Sequence, residues 1–560
     1  MATTETPDQK VFYVGLCMAG AVSAGAYTAG VMDYLLEALA EWEKRRGEAG
    51  VPTHKVQIPV MGGASAGGMT SIVGATSLNN PLPPIDKPTA GDLLAEHPEN
   101  KLYHSWVDLT APDMFSQMLT TSDIKPGVIL SALNSEFISP IADRVVSVDT
   151  TKWQPLPAFI RPGLKIFTTL TNLQGFAYTV DFGVDQPQTS KYHMSIHNDY
   201  ACFELTEDTI DGDNDGWMPL NIKTKVNTDV AACAAMATGA FPVGLQSRLL
   251  TRDSRYVAAN PWLAPYIQNN PLPKGGLETL NVDGGMINNE PFDKVRDVLN
   301  NLPGQEIDNY NDFDKITNTV LMIEPFPTQK PDTISKSQAI SNVLGLTLSS
   351  MLAQMRAKPV NIKNAMSQSC AGQFLITPSR MVKNADGTND TLVGETAIAC
   401  GALQGFAGFM NKEFRVHDYF LGRYNCKIFL RDYFTVPASA LQNNGIFKDG
   451  YAGIDISKFK STKDDSYQII PVFADATDYT FPDFKFNSGT NWPTVQDADI
   501  DQFTTPMKGR IQAVLLSMTD LNWVTKPLLW IGAKVFINRF VANKLISSIK
   551  TELQAWKLLP

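Results

Sequence analysis

Gly63-Ala64-Ser65-Ala66-Gly67 is a G-x-S-x-G pentapeptide, preceded by a short apolar run and followed by small residues of helical character. In a strand–turn–helix context such a turn holds a serine at a strained backbone position above the following helix. The flanking glycines are there because a β-carbon would collide with the neighbouring strand or helix. Ser65 is therefore the candidate nucleophile. The pattern alone is weak, because Gly and Ser usage of roughly 7% each predicts about 0.2 chance occurrences in a chain of this length.

Two further stretches could complete the chemistry. Asp283-Gly284-Gly285, within LNVDGGMINNEP, puts a carboxylate where an apolar run ends in a tight backbone turn, although Asp-Gly by itself is usually only a turn. The small-residue stretch Gly20-Ala21-Val22-Ser23-Ala24-Gly25 follows the first apolar run. Free N–H groups at such a turn can cradle a phosphate, but Gly20, Gly25 and Gly30 stand five apart and miss the G-x-G-x-x-G spacing. The same N–H groups can instead stabilise an oxyanion.

The elements that must position these residues read as α/β. Residues 11–18 (VFYVGLCM) fit a strand buried on both faces. Val31, Leu35, Leu39 and Trp42 follow at near-helical spacing, and Lys44-Arg45-Arg46-Gly47 is a helix stop. Residues 165–170 (KIFTTL) form another candidate strand, with 176–182 after Gly175 expected to pair with it as a hairpin. Residues 229–242 read as a small-residue helix stopped by Pro242, and 319–323 (TVLMI) as a further buried strand. The proline-rich and then poorly patterned stretch at about 79–162 reads as an inserted cap.

With 560 residues, 44% hydrophobic and 19% charged, the chain has material for a large core. The net charge of -10 argues against a general nucleic-acid binder. Six scattered cysteines without a C-x-x-C suggest reduced thiols. The first ten residues carry no secretory pattern and no run of about 18 apolar residues occurs, so the expected location is cytoplasmic.

Across residues 11–325 the chain resembles the patatin-like phospholipases. The likeness lies in the order of four blocks: the turn Gly20 to Gly25 followed by AYTAGVM, G-x-S-x-G at Ser65, AAMATGAFP, and D-G-G at Asp283. The resemblance implies a three-layer α/β/α fold with a mostly parallel sheet, an inserted cap and a largely helical carboxyl-terminal extension. It implies a catalytic domain over 8–330 and an accessory region over 331–560. It also implies lipid acyl hydrolysis, with Ser65 as nucleophile, Asp283 as general base and backbone N–H groups at Gly20, Ala21 and Val22 as the oxyanion hole. Gly63, Gly67, Gly284 and Gly285 are the motif glycines. Neither cofactor nor metal is implied. A free Asp has a pKa of about 3.9 and is a weak base for a hydroxyl, so Asp283 must be desolvated to serve. The family turn commonly carries Arg or Lys before its last glycine, where this chain has Ala24.

Alternatives remain. Ser65, Asp283 and His417 follow the nucleophile–acid–histidine order of a triad esterase. A catalytically weak lipid-binding or scaffold member of the family is another reading. Asp211, Asp213 and Asp215 match the front of a calcium loop, but Ile222 stands where its glutamate belongs, so a solvated acidic turn is the plainer reading. His193 and His197 offer an i, i+4 pair in a segment that reads as extended. In the second half, 335–355 reads as a cap helix, 379–390 as a loop and 467–472 as a strand. Residues 508–557 carry eight basic and two acidic residues, with Ile531, Val535, Ala542, Leu545, Ile549, Leu553 and Trp556 as an apolar stripe. That stripe fits either a helix packed on the core or one lying in an anionic membrane surface.

Overall fold

The computed structural model describes residues 11–86, 93–108, 113–125, 127–181, 191–207, 215–268, 270–303, 311–327, 370–383, 386–473, 486, 488–517 and 542–560. Strand β1 (Val11–Met18) leads into helix α1 (Gly25–Arg45), and β2 (Lys55–Gly63) into α2 (Ser65–Ser77). Then come β3 (Ile160–Asp181), β4 (Lys191–Leu205), β5 (Met218–Leu220), α3 (Thr228–Thr238), β6 (Arg248–Asp253) and β7 (Gly276–Asp283). Helix α4 (Phe292–Asn300) precedes β8 (Asn318–Ile323), and β9 (Gln373–Ile376) follows. All nine strands belong to one sheet, ordered β5-β4-β3-β2-β1-β8-β9, with β7 pairing β3 and β6 pairing β7.

The centre of this sheet is parallel, as the apolar runs require. Strand β1 lies between β2 and β8, parallel to both, and every residue of β8 is buried. Helix α1 ends where the basic pair Lys44 and Arg45 meets the last turn, as expected from the helix dipole. Two expectations are corrected. Residues 165–170 and 176–181 do not form a hairpin, since both runs belong to the single strand β3, which pairs with β4 from Lys165 to Asp181, and Phe182 lies outside the described residues. Gly175, at φ +71, marks a register shift between Thr171 and Phe176 rather than a chain reversal. Residues 379–390 are not a loop but contain most of an antiparallel hairpin, β10 (Ser379–Lys383) with β11 (Asn389–Val393).

The carboxyl-terminal half supplies helix α5 (Lys412–Asp432), which packs on α1. The two helices approach so closely that a Cβ on Gly30 would lie 1.9 Å from the Tyr419 carbonyl oxygen, and one on Gly422 would lie 2.2 Å from that of Tyr27. Buried Arg423 of α5 pairs with Asp33 and Glu37 of α1 in the same seam. The expected strand at 467–472 is shorter and earlier, Ser466–Gln468 against Thr435–Pro437. The expected helix at 335–355 lies outside the described residues. Helix α6 (Thr504–Ser517) and helix α7 (Ala542–Ala555) are described within the basic carboxyl-terminal segment. Of the expected stripe, Ala542 and Leu553 are buried, Ile549 and Trp556 half-buried and Leu545 exposed, while Ile531 and Val535 lie outside the described residues. No helix among the described residues is long and apolar enough to cross a membrane.

His54 joins the two halves. Its Nε2 lies 2.8 Å from the Ile469 carbonyl oxygen, and its ring packs among Trp42, Phe447 and Tyr451. Burial lowers its pKa to about 4. The unfolded chain binds a proton near pH 6.5 that the native state refuses until about pH 4, so stability is full above 6.5 and falls as pH drops through that window. The expected contribution is about 3 kcal/mol, and urea unfolding of wild type and His54→Gln at pH 7 and pH 4.5 should show a shallower pH dependence in the variant.

Candidate active site

Strand β3 brings the two candidate catalytic residues together. On one of its edges β2 runs parallel and ends with Gly63 opposite Thr168. On the same edge β7 arrives antiparallel and ends with Asp283 opposite Leu170. The two strands thus point at one another, and their ends sit two residues, roughly 7 Å, apart along β3. Ser65 follows the first end and Asp283 is the second. The Ser65 hydroxyl donates to Asp283 Oδ2 at 2.7 Å, and both residues are 7% exposed. Asp283 is held on every side. Its Oδ1 accepts from the Gly285 N–H at 2.7 Å, its carbonyl from Thr171 Oγ1 at 2.8 Å, and its own N–H donates to the Ala240 carbonyl at 2.9 Å.

Ser65 has φ +49, in the left-handed region that a residue with a β-carbon rarely occupies. Three features hold it there. Its N–H donates to Thr238 Oγ1 at 2.8 Å, the Ala64 N–H donates to the Met18 carbonyl at 3.2 Å, and helix α2 begins at once. A Cβ on Gly67 would stand 2.1 Å from that same Met18 oxygen, so the turn closes only with glycine there. Gly63 lies against the same carbonyl, and Gly284 against the Thr169 carbonyl below the aspartate.

The turn after β1 lies beside the serine. A Cβ on Gly20 would be 3.0 Å from Ser65 Cβ and 2.3 Å from Asn289 Oδ1. Ala21 precedes a short 3-10 turn over Val22–Ala24, and Val22 takes φ +50. Ala24, where family turns carry a basic residue, is fully buried. The arrangement can pass a proton from a serine hydroxyl to a carboxylate as the oxygen attacks an electrophilic carbon, with backbone N–H groups close at hand.

Two residues of this site were missed in the sequence. Thr238 lies in AAMATGAFP, but nothing in that block indicates which residue reaches the serine amide. Asn289 is 5% exposed, and its Nδ2 has no hydrogen-bond partner among the described residues. It lies against both Gly20 and Gly285, six residues beyond the aspartate. Its sequence signal is only the Asn288-Asn289 pair in the same block.

The other candidates lie elsewhere. His417 is fully buried on α5, with Nδ1 2.8 Å from Asp418 Oδ1 and its ring against Trp492. Burial lowers its pKa, opposed by the Asp418 carboxylate. Asp211 and Asp213 lie outside the described residues, and Asp215 pairs with Lys165 at 3.1 Å. His193 and His197 sit on strand β4, where an i, i+4 pair is roughly 13 Å apart and cannot share a metal. All six cysteines are free thiols.

A mostly parallel α/β sheet with a serine on a strained strand-to-helix turn and a carboxylate at the facing strand end defines the structural class. The family profile for patatin-like phospholipase matches residues 16–296, half of the chain. The chain belongs to the patatin-like phospholipase family. A relative from Sinorhizobium fredii (strain NBRC 101917 / NGR234), described as uncharacterized protein y4iI, is 30% identical over 477 residues. The match covers 76% of this chain and 65% of that relative, so the chain spans just under two thirds of its length. Among solved structures, VipD from Legionella pneumophila aligns over 100% of this chain and 96% of its own at 11% identity, with a TM-score of 0.20, too weak a likeness to bear on the fold.

Thr238→Val keeps the side-chain volume but leaves the buried Ser65 N–H without its acceptor. The expected cost is about 1–3 kcal/mol of stability, read by urea denaturation. A loss under a few tenths would show that the turn is held without that bond.

Proposed function

We propose that the protein is a lipid acyl hydrolase that cleaves carboxylic ester bonds of phospholipids or related glycerolipids through a Ser65 acyl-enzyme. The observation that carries this reading is the 2.7 Å bond from the Ser65 hydroxyl to Asp283 Oδ2, in a family whose members are named phospholipases. Ser65 Oγ attacks the ester carbonyl carbon as its proton moves to Asp283 Oδ2, and the carbonyl electrons pass to oxygen. The tetrahedral oxyanion faces N–H groups of the turn at Gly20, Ala21 and Val22. As it collapses, the C–O bond breaks and the departing alcohol oxygen takes the proton from Asp283. Water then attacks the acyl-enzyme by the same route, giving up a proton to Asp283, which returns it to Ser65.

Burial supports the base role, since Asp283 is shielded from water and its second oxygen is fixed by Gly285. Asn289 is an added donor in this reading, because the amide lies with Oδ1 against Gly20 and Gly285 beside Ser65, and its buried Nδ2 has no partner among the described residues. The triad alternative has less support: His417 Nδ1 is engaged by Asp418, and its ring sits among residues of the carboxyl-terminal half. Contact of residues 508–557 with an anionic lipid surface has less support, because Ala542 and Leu553 of the stripe are buried against the protein, although Leu545 is exposed.

Ser65→Ala and Asp283→Asn should each reduce hydrolysis of a fluorogenic ester by roughly 10²–10⁴-fold, while His417→Gln retains most of it. Retained activity in Asp283→Asn with loss in His417→Gln would replace the dyad by the triad. A fluorophosphonate probe should label wild type but not Ser65→Ala, and a lipid panel then assigns the headgroup and acyl preference. A folded wild type that neither labels nor hydrolyses any ester would favour a lipid-binding scaffold.

Asn289→Asp removes the donor and places a carboxylate beside the developing charge. Its kcat should fall by roughly 10²-fold with KM little changed. Activity within twofold of wild type would remove Asn289 from the oxyanion site.

A further inference from the structure

The turn at Gly20 to Ala24 is closed in part by its own backbone, with the Gly25 N–H donating to the Ser23 and Val22 carbonyls. Within it, the Ala24 N–H donates to the Ala21 carbonyl at 2.9 Å, while Val22 sits at φ +50 without a charged side chain anywhere in the turn. A further hold comes from the other end of the chain. Ser23, 1% exposed, donates its hydroxyl hydrogen to the Gly405 carbonyl and accepts from the Gly408 N–H at 3.1 Å. A Cβ on Gly408 would stand 2.5 Å from Ser23 Oγ, and one on Gly405 would stand 3.0 Å from Val22 Cβ. The two segments are therefore in backbone-to-side-chain contact across about 380 residues of sequence.

The carboxyl-terminal segment is itself shaped for this contact and anchored behind it. Leu403, Gln404 and Gly405 are three successive residues at φ +56, +55 and +95. Non-glycine residues persist there only where surrounding contacts overdetermine them. Asp418 of α5 accepts from the Ala399 and Cys400 N–H groups, both at 2.8 Å, and His417 Nδ1 lies 2.8 Å from the same carboxylate. Arg415, buried, donates to the Gly408 carbonyl and to the Val107 carbonyl. On the far side, Glu552 of α7 accepts from the Leu403 N–H at 2.7 Å. Two helices thus fix a strained segment, and that segment grips the middle of the oxyanion turn.

We propose that residues 399–408 are the positioning element of the oxyanion turn, acting through Ser23. The inference rests on the proposed ester hydrolysis, since it assigns the shape of the turn in which the oxyanion would be received. Ser23 touches no reacting atom; it sets the direction of the N–H groups at Gly20, Ala21 and Val22. The network also gives His417 a place, as the group beside Asp418 in the anchor rather than in the proton relay.

The test uses the full chain with Ser23→Ala and Ser23→Thr. Ser23→Ala is expected to lower kcat for a fluorogenic ester about 10- to 100-fold with KM within twofold. It should weaken inhibition by a trifluoromethyl ketone, which adds to serine as an oxyanion, by the same factor. Ser23→Thr, which keeps the hydroxyl, recovers part of both. Hydrogen exchange should rise at residues 20–25 and 399–408 and stay unchanged in α2 and β7. Wild-type kcat together with unchanged exchange at 20–25 in Ser23→Ala overturns the proposal. If wild type hydrolyses no ester, the functional reading fails, and exchange alone decides the clamp. If Ser23→Ala does not fold, Glu552→Ala serves instead: exchange rising jointly in 399–408 and 20–25 supports the clamp, and a rise confined to 399–408 overturns it.

Discussion

The site depends on one constraint, that two strands of opposite direction end on the same edge of β3. A strand edge offers a fixed ladder of hydrogen-bonding groups, so where β2 stops at Thr168 and β7 stops at Leu170 is set by register rather than by side-chain preference. A shift of either strand by one residue would turn its side chains to the other face and move the serine away from the carboxylate. The length of β3 follows from this role. Its first half pairs with β2, its middle meets β7, and β4 pairs on its opposite edge from Lys165 to Asp181, so the strand must outlast β2 and β7.

Around this join the backbone is held in unusual conformations, and the neighbouring packing bears the cost. Ser65 and Val22 both occupy left-handed φ, at a cost of order 1–3 kcal/mol each. The Met18 carbonyl ends β1 just before the turn at Gly20 to Ala24, accepts from the Ala64 N–H, and crowds Gly63 and Gly67. The Thr238 hydroxyl serves the serine amide in the same way, so α3 belongs to the site although none of its side chains need touch a substrate.

The carboxyl-terminal half is bound into the fold rather than appended to it. Helix α5 meets α1 at backbone contact through Gly30 and Gly422, and Arg423 places a buried guanidinium between two carboxylates of α1. Such an ion pair costs desolvation and adds little net stability, but removing one partner would strand a buried charge, so it specifies how the helices dock. Strand β9 extends the sheet beyond β8, and α5 carries the residues that fix the segment gripping Ser23.

Sequence alone determined those features that a local backbone requirement writes into residue type. Glycine is required where a carbonyl stands about 2 Å from an absent Cβ, so G-x-S-x-G and D-G-G were legible, and the buried strands β1 and β8 were legible as continuous apolar runs. The reading failed where one pattern serves two structures. Gly175 at φ +71 looks like a hairpin turn, yet it sits inside a strand because β4 keeps pairing across it. Tertiary structure alone decided which residues meet. The join of Ser65 to Asp283 spans 218 positions, Thr238 reaches the serine amide across 173, and Ser23 reaches Gly405 across 382. A hydroxyl that bonds a distant carbonyl has the same composition and spacing as one facing water, so such partners leave no local trace until the sheet register and helix docking have placed them.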